Sequence, residues 1–181
     1  LRIEDKAVPA SPAEGEALIR VDTAGICGSD LGRVMHTGTY SFPTVPGHEF
    51  AGEIIEMKGE REGLKQGGRV AVAPILPCFQ CDHCAQGNYG QCDDYNYLGS
   101  RTDGGFARYV KAPIRNLVPL PDSVSFRHAA LIEPAAVTLQ GLTRLDIRSG
   151  DTTQVPGCRA TGVVAGSLAR LHRSTRIVAR H

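Results

Sequence analysis

Up to about residue 120 the apolar positions come in short runs cut by glycine and proline. Ala17–Val21, Gly52–Glu56, Arg69–Ala73, Phe106–Val110 and Asn116–Val118 are runs of β type, and short strands at such spacing predict a small barrel or folded sheet. Pro119 and Pro121 close this region. Ser125, a residue of capping type, then opens a texture with few turn residues. Pro134 suits the first turn of a helix, Leu139, Leu142 and Leu145 recur at helical spacing, and Gly150 predicts its far end.

Beyond Gly150 the order is strand, glycine turn, helix, strand, over Thr152–Val155, Gly157–Gly162, Val163–Leu171 and Arg176–Ala179. That order is the opening βαβ unit of a Rossmann-type domain. Two parallel strands cannot cover their own faces, so this end is expected to need a partner or the remainder of a longer chain. The predicted organisation is a β-rich domain over 1–124, connecting helices over 125–150 and a partial dinucleotide-binding domain over 151–181.

Composition narrows the function classes. A net charge of +1 creates no field that would gather nucleic acid or an anionic membrane. Arg144, Arg148, Arg159, Arg170, Arg173, Arg176 and Arg180 do crowd the end against Asp146 and Asp151. They read as a solvated basic helix face, because clustered cations interleaved with aromatics are missing. No apolar run approaches the roughly 18–20 residues of a membrane span and no signal-type start is present, so the expectation is a soluble, cytoplasmic protein.

Four of the six cysteines fall in one short stretch, as Cys78-x2-Cys81-x2-Cys84-x7-Cys92. Four thiolates on one loop can close a tetrahedron around zinc and leave no position for water, which is the pattern of a structural site. His83 lies inside the loop and is expected to face solvent. A second constellation joins Gly25-Ile26-Cys27-Gly28-Ser29-Asp30, Gly47-His48-Glu49 and Glu133-Pro134. One thiolate, one imidazole and one carboxylate are what a catalytic zinc needs, with a fourth position open. Ser29 and Asp30 have a plainer reading as caps of a turn after Gly28.

At these residues, and at Leu76-Pro77-Cys78-Phe79-x-Cys81, Gly99-Ser100-Arg101-x-Asp103-Gly104-Gly105-Phe106-Ala107 and Ile132-Glu133-Pro134, the chain resembles the zinc-dependent medium-chain alcohol and polyol dehydrogenases. The resemblance covers essentially the whole chain and is strongest to the branch acting on polyols and polyol phosphates of the galactitol-1-phosphate and sorbitol kind. It implies a mainly β GroES-like catalytic domain followed by the start of an α/β Rossmann domain. By the same resemblance Cys27, His48 and Glu133 hold a catalytic zinc, and Glu49 is a further ligand or supports the ligands. Asp30 orients His48 through its other ring nitrogen, and Ser29 accepts the proton of the substrate hydroxyl. The implied reaction is NAD-linked oxidation of a secondary alcohol, carried out by a homo-oligomer of full-length chains.

The nucleotide motif departs from the family. Gly157 and Gly162 stand at the first and last positions of the glycine turn, but Arg159 replaces the glycine that lets the pyrophosphate approach. The strand leading in is the polar Thr152-Thr153-Gln154-Val155-Pro156, and His181 takes the place of the acidic ribose ligand. Family members run to about twice this length. The resulting expectation is a fragment or degenerate copy that holds zinc but turns over poorly, with a non-catalytic zinc domain pairing with full-length subunits as the alternative.

Overall fold

The computed structural model describes residues 3–157, 159–171 and 174–180. Cys158, Arg173 and His181, which figure in the expectations above, lie outside them. The chain divides into two units, Leu1–Leu131 and Ile132–His181.

The first unit is built on β1 (Glu16–Gly25), β2 (Glu49–Met57) and β3 (Arg69–Val72). Strands β6 (Tyr109–Pro113) and β7 (Leu117–Pro119) complete an antiparallel sheet of order β6-β1-β2-β3-β7. Both proline-bearing strands are edges, where a missing backbone donor costs no ladder bond. Side-chain alternation sorts the central strands. Phe50, Ile54, Val70 and Val72 face one way and join Ile19, Val110 and Leu117 in the main core, each fully buried side chain being worth about 1.5–3 kcal/mol. Ala51 and Ala71 face the other way, against Ala129 of α3 (Phe126–Ala129).

That packing carries the first unit past residue 124, as far as Leu131. Ser125 Oγ accepts a hydrogen bond from His128 N at 3.2 Å, the expected cap. The short helix so started covers the sheet, and Arg69 reaches the turn before it, donating to Val124 O at 2.6 Å with its guanidinium 4.5 Å over the Phe126 ring. α3 is therefore part of the β-rich unit and not a connector.

Two further departures have local causes. The run expected over Phe106–Val110 becomes a strand only from Tyr109, because the preceding backbone is already committed: Gly104, Gly105 and Phe106 donate to Val45, Gly47 and Pro46. A two-stranded ribbon, β4 (Ile75–Leu76) with β5 (Asn96–Tyr97), closes the base of the cysteine loop. Strands of two residues are too short to leave a periodic signal.

In the second unit α4 spans Ile132–Thr143 with Pro134 in its first turn. It stops short of Leu145, and Gly150, at φ 102°, serves the turn before the next strand rather than the helix end. β8 (Thr152–Pro156), α5 (Ala160–Leu171) and β9 (Arg176–Arg180) form the βαβ unit, with β8 and β9 parallel from Thr152↔Arg176 to Pro156↔Arg180. Pro156 is tolerated because it ends its strand. Only Val155 of β8 is buried, in keeping with the polar sequence. Among the described residues no helix is long and apolar enough to cross a membrane.

Candidate functional site

The four cysteines of the loop converge. The Sγ atoms of Cys78, Cys81, Cys84 and Cys92 all lie within 4.8 Å of one another, and Cys78 and Cys84 are 4.0 Å apart. A tetrahedron with Zn–S bonds of about 2.3 Å has edges of about 3.8 Å, so the spacing fits that ion. Phe79, at φ 59°, and α2 (Asp82–Ala85) turn the backbone so that its amides face the sulfurs: Gln80 N points at Cys78 Sγ at 3.4 Å and Cys78 N at Cys92 Sγ at 3.2 Å. Such amides stabilise thiolate. Those of Gln80 and Cys81 lower the Cys78 thiol to about 6, while burial pushes Cys84 up to about 12. Four thiols drawn this close together form a donor set that a dication satisfies. His83 is outside the cluster and half-exposed, its Nε2 4.0 Å from Asp93.

The second centre forms where β1 ends and β2 begins. Gly25 pairs with Glu49 in the register, and a Cβ on Gly25 would lie 2.5 Å from the Glu49 carboxylate. The glycine leaves the space that the carboxylate fills. Cys27 caps α1 (Gly28–Gly32), its N–H donating to Asp30 Oδ2 at 3.1 Å. His48 follows Gly47, whose φ of 95° turns the chain inward. Gly99 and Gly104 then press on the Gly47 carbonyl so closely that Cβ atoms there would lie 2.3 and 2.1 Å from its oxygen. Backbone against backbone fixes where the imidazole enters.

As a result Cys27, His48 and Glu49 bring their ligand atoms within 4.8 Å of one another. His48 and Glu49 are buried, at 4% and 7% exposure, and so is Asp30 at 1%. His48 Nδ1 lies 3.2 Å from Asp30 Oδ1, within reach of the carboxylate although the ring N–H is not well aligned on it. Burial is the largest influence on His48 and disfavours its cation, yet Asp30 and then Cys27 outweigh it and raise the pKa from 6.5 to about 9. In the metal-free chain the imidazolium accordingly stabilises the fold fully below about pH 6.5, and that contribution is lost as pH rises through about 9. Metal and proton compete for the same ring. A buried imidazole whose Nδ1 faces Asp30, a thiol and a carboxylate make a fitting set for one zinc with an open position.

The residues read from sequence are thus brought together in part. Asp30 sits against His48 as expected, and Ser29, exposed on the first turn of α1, accepts a hydrogen bond from Arg33 Nη1 at 3.0 Å. Glu49 completes the cluster within the first unit, whereas Glu133 belongs to α4 of the second. Sequence reading missed Tyr97, whose ring meets His48 edge-on at 5.7 Å, and Arg33, 3.4 Å from Asp30. Arg33 follows Asp30 at the i,i+3 spacing of a helical ion pair, a local signal, whereas Tyr97 shares no local motif with the ligands and only the glycine-rich run from Gly99 to Gly105 signalled crowding there. In the second unit Gly157, at φ 94°, makes the turn after β8, and a Cβ on Gly162 would lie 1.9 Å from the Gly157 carbonyl. Both glycines are geometrically required, and Arg159 between them is exposed.

Residues 13–122 match the alcohol dehydrogenase GroES-like domain. The galactitol 1-phosphate 5-dehydrogenase of Escherichia coli K12 is 37% identical over a stretch covering 77% of this chain and 40% of that protein. The crystal structure of galactitol-1-phosphate dehydrogenase from Escherichia coli superposes with a TM-score of 0.91 at 32% identity, covering 98% of this chain and 51% of the other. A short chain alcohol dehydrogenase of Escherichia coli CFT073, complexed with NADH, gives 0.86 at 30% identity, over 96% of this chain and 51% of that one. The chain spans about half the length of the two solved proteins.

Proposed function

Because this chain belongs to the alcohol dehydrogenases with a GroES-like domain, we propose that it serves the oxidation of a secondary alcohol on a polyol or polyol phosphate. The observation that carries the proposal is the convergence of Cys27, His48 and Glu49 on one point. When bound, zinc supplies a Lewis acid that eases loss of the hydroxyl proton, and a nicotinamide cofactor, NAD by the family branch, accepts the hydride. The chain's own residues do the positioning. Asp30, held by the Cys27 amide and beside Arg33, keeps the His48 ring in place. Ser29 Oγ, exposed beside Cys27, receives the hydroxyl proton on its way to solvent. Cys78, Cys81, Cys84 and Cys92 hold a second zinc whose role is structural. The Gly157 turn and the close approach of Gly162 support a nucleotide site.

The carboxylate ligand in this reading is Glu49. Zinc content of Glu49→Gln is expected to fall from two ions to one per chain, while Glu133→Gln keeps two. The reverse pattern would return Glu133 to the ligand set in place of Glu49. Arg159, in the position of the second glycine, favours a second reading: a zinc-holding domain that pairs with longer subunits and does not turn over alone. Nicotinamide fluorescence separates them, since the first reading requires NADH to bind the zinc-loaded chain.

A further inference from the structure

Arg101 is held in an unusual way. Its guanidinium carbon sits 4.3 Å from the ring centre of Tyr40 and 4.4 Å from that of Tyr95, so two tyrosines stack on the same cation. Among the described residues no other arginine has two such ring contacts, and the ion pairs found there do not include Arg101. Its Nε is buried and has no hydrogen-bond partner. The carboxylate nearest in sequence is already used, Asp103 pairing with Lys6 and accepting from Val45 N at 2.9 Å.

A planar guanidinium held against two aromatic rings keeps its N–H edge for hydrogen bonding. That edge is a fork of N–H groups whose spacing matches two oxygens of one phosphate or carboxylate. The aromatic clamp also fixes the fork's direction in advance, which lowers the ordering cost of binding. A buried N–H without an acceptor is rare in a finished structure and marks a place for a small acceptor such as a water or an anion oxygen.

The clamp is physically continuous with the metal centre. Tyr95 meets Tyr97 edge-on at 6.4 Å, and Tyr97 meets His48 edge-on at 5.7 Å. The Arg101 backbone N–H donates to Tyr97 O at 3.0 Å. The same short segment thus carries the ring packed on His48 and a cation that the ion pairs of the described residues leave out.

We propose that Arg101 binds the oxyanion end of the substrate, so that the preferred alcohol is a polyol carrying a phosphate ester or carboxylate and not a neutral polyol. This rests on the dehydrogenase reading for the identity of the alcohol, but the anion site itself needs no turnover to be measured. The chain has no tryptophan and five tyrosines, so Tyr40 and Tyr95 contribute two of the five rings whose ultraviolet emission is read.

The test is calorimetric titration of the zinc-loaded chain with sorbitol 6-phosphate, gluconate and sorbitol, with tyrosine emission followed in parallel. Either anion is expected to bind at least about tenfold more tightly than sorbitol and to perturb the emission, and Arg101→Gln is expected to remove that advantage. Arg101→Lys keeps the charge but loses the fork, and should recover only part of it, which guards against a glutamine variant that simply misfolds. Tighter binding of gluconate with the same dependence assigns a carboxylate as the group. Equal affinities for anion and sorbitol, or an anion preference that survives in both variants, would overturn the proposal. Zinc content of the same samples reads the Cys27, His48 and Glu49 centre separately, so failure of that centre is distinguishable from failure of the anion site.

Discussion

Cys84→Ser is expected to release one zinc per chain and to open the segment from Cys78 to Cys92 to proteases while the main sheet stays folded. The loop has almost no apolar interior of its own: of its residues only Cys84 and Cys92 are buried. Structural zinc contributes on the order of 10–16 kcal/mol in comparably small sites, more than any other single interaction available to fifteen mostly exposed residues. Without a cation the four sulfurs would have only their hydrogen bonds to one another and to the loop amides to hold them together. The effect should reach further than the loop. Its base is the β4–β5 ribbon, and Tyr97 of β5 packs on His48. Elemental analysis with limited proteolysis checks both parts. Retention of two zinc ions, or cleavage spread evenly over the first unit, would contradict the account.

Gly104→Ala carries the second large effect. The new methyl would lie 2.1 Å from the Gly47 carbonyl oxygen and 2.4 Å from Gly99 Cα, and both neighbours are backbone, which cannot rotate away. Overpacking of this kind costs about 3 kcal/mol or more where side chains cannot absorb it, and here the strain falls on the turn that delivers His48. Loss of metal from the Cys27 centre should therefore accompany a drop in Tm. Gly141→Ala, in α4 with open space around it, is expected to act oppositely and stabilise by about 0.5–1 kcal/mol. Equal Tm shifts for the two would mean that the crowding at Gly47 is relaxed in solution.

What the sequence made legible follows the range over which each signal acts. The cysteine spacing is local, and it yielded the thiol cluster residue for residue. Alternation marked β1, β2, β3 and β7 to within a few residues, because one face of each is buried. It misplaced β6 because the hydrogen bonds of Gly104 to Phe106 go to a loop 58 to 60 positions earlier, a commitment with no periodic trace. It also assigned α3 to a connector, since the small residues Ala51 and Ala71 that receive it lie far upstream.

The site divides in the same way. Cys27, Asp30, His48 and Glu49 sit in two short motifs and were readable. Their mutual arrangement depends on Gly25 opposite Glu49 and on three glycines meeting at the Gly47 carbonyl, which only the fold brings together. The Tyr40–Arg101–Tyr95 clamp joins residues up to 61 positions apart, so Arg101 read simply as part of a glycine-rich run.

The central proposal is that Cys78, Cys81, Cys84 and Cys92 hold one zinc and that Cys27, His48 and Glu49 supply ligands to a second. Zinc per chain, determined by elemental analysis on the purified protein after exhaustive dialysis against metal-free buffer, tests it most directly. Two ions are predicted, falling to one in Cys84→Ser and separately to one in Glu49→Gln. A single zinc in the unaltered chain, lost only with Cys84, would contradict the account by showing that Cys27, His48 and Glu49 converge without holding a metal.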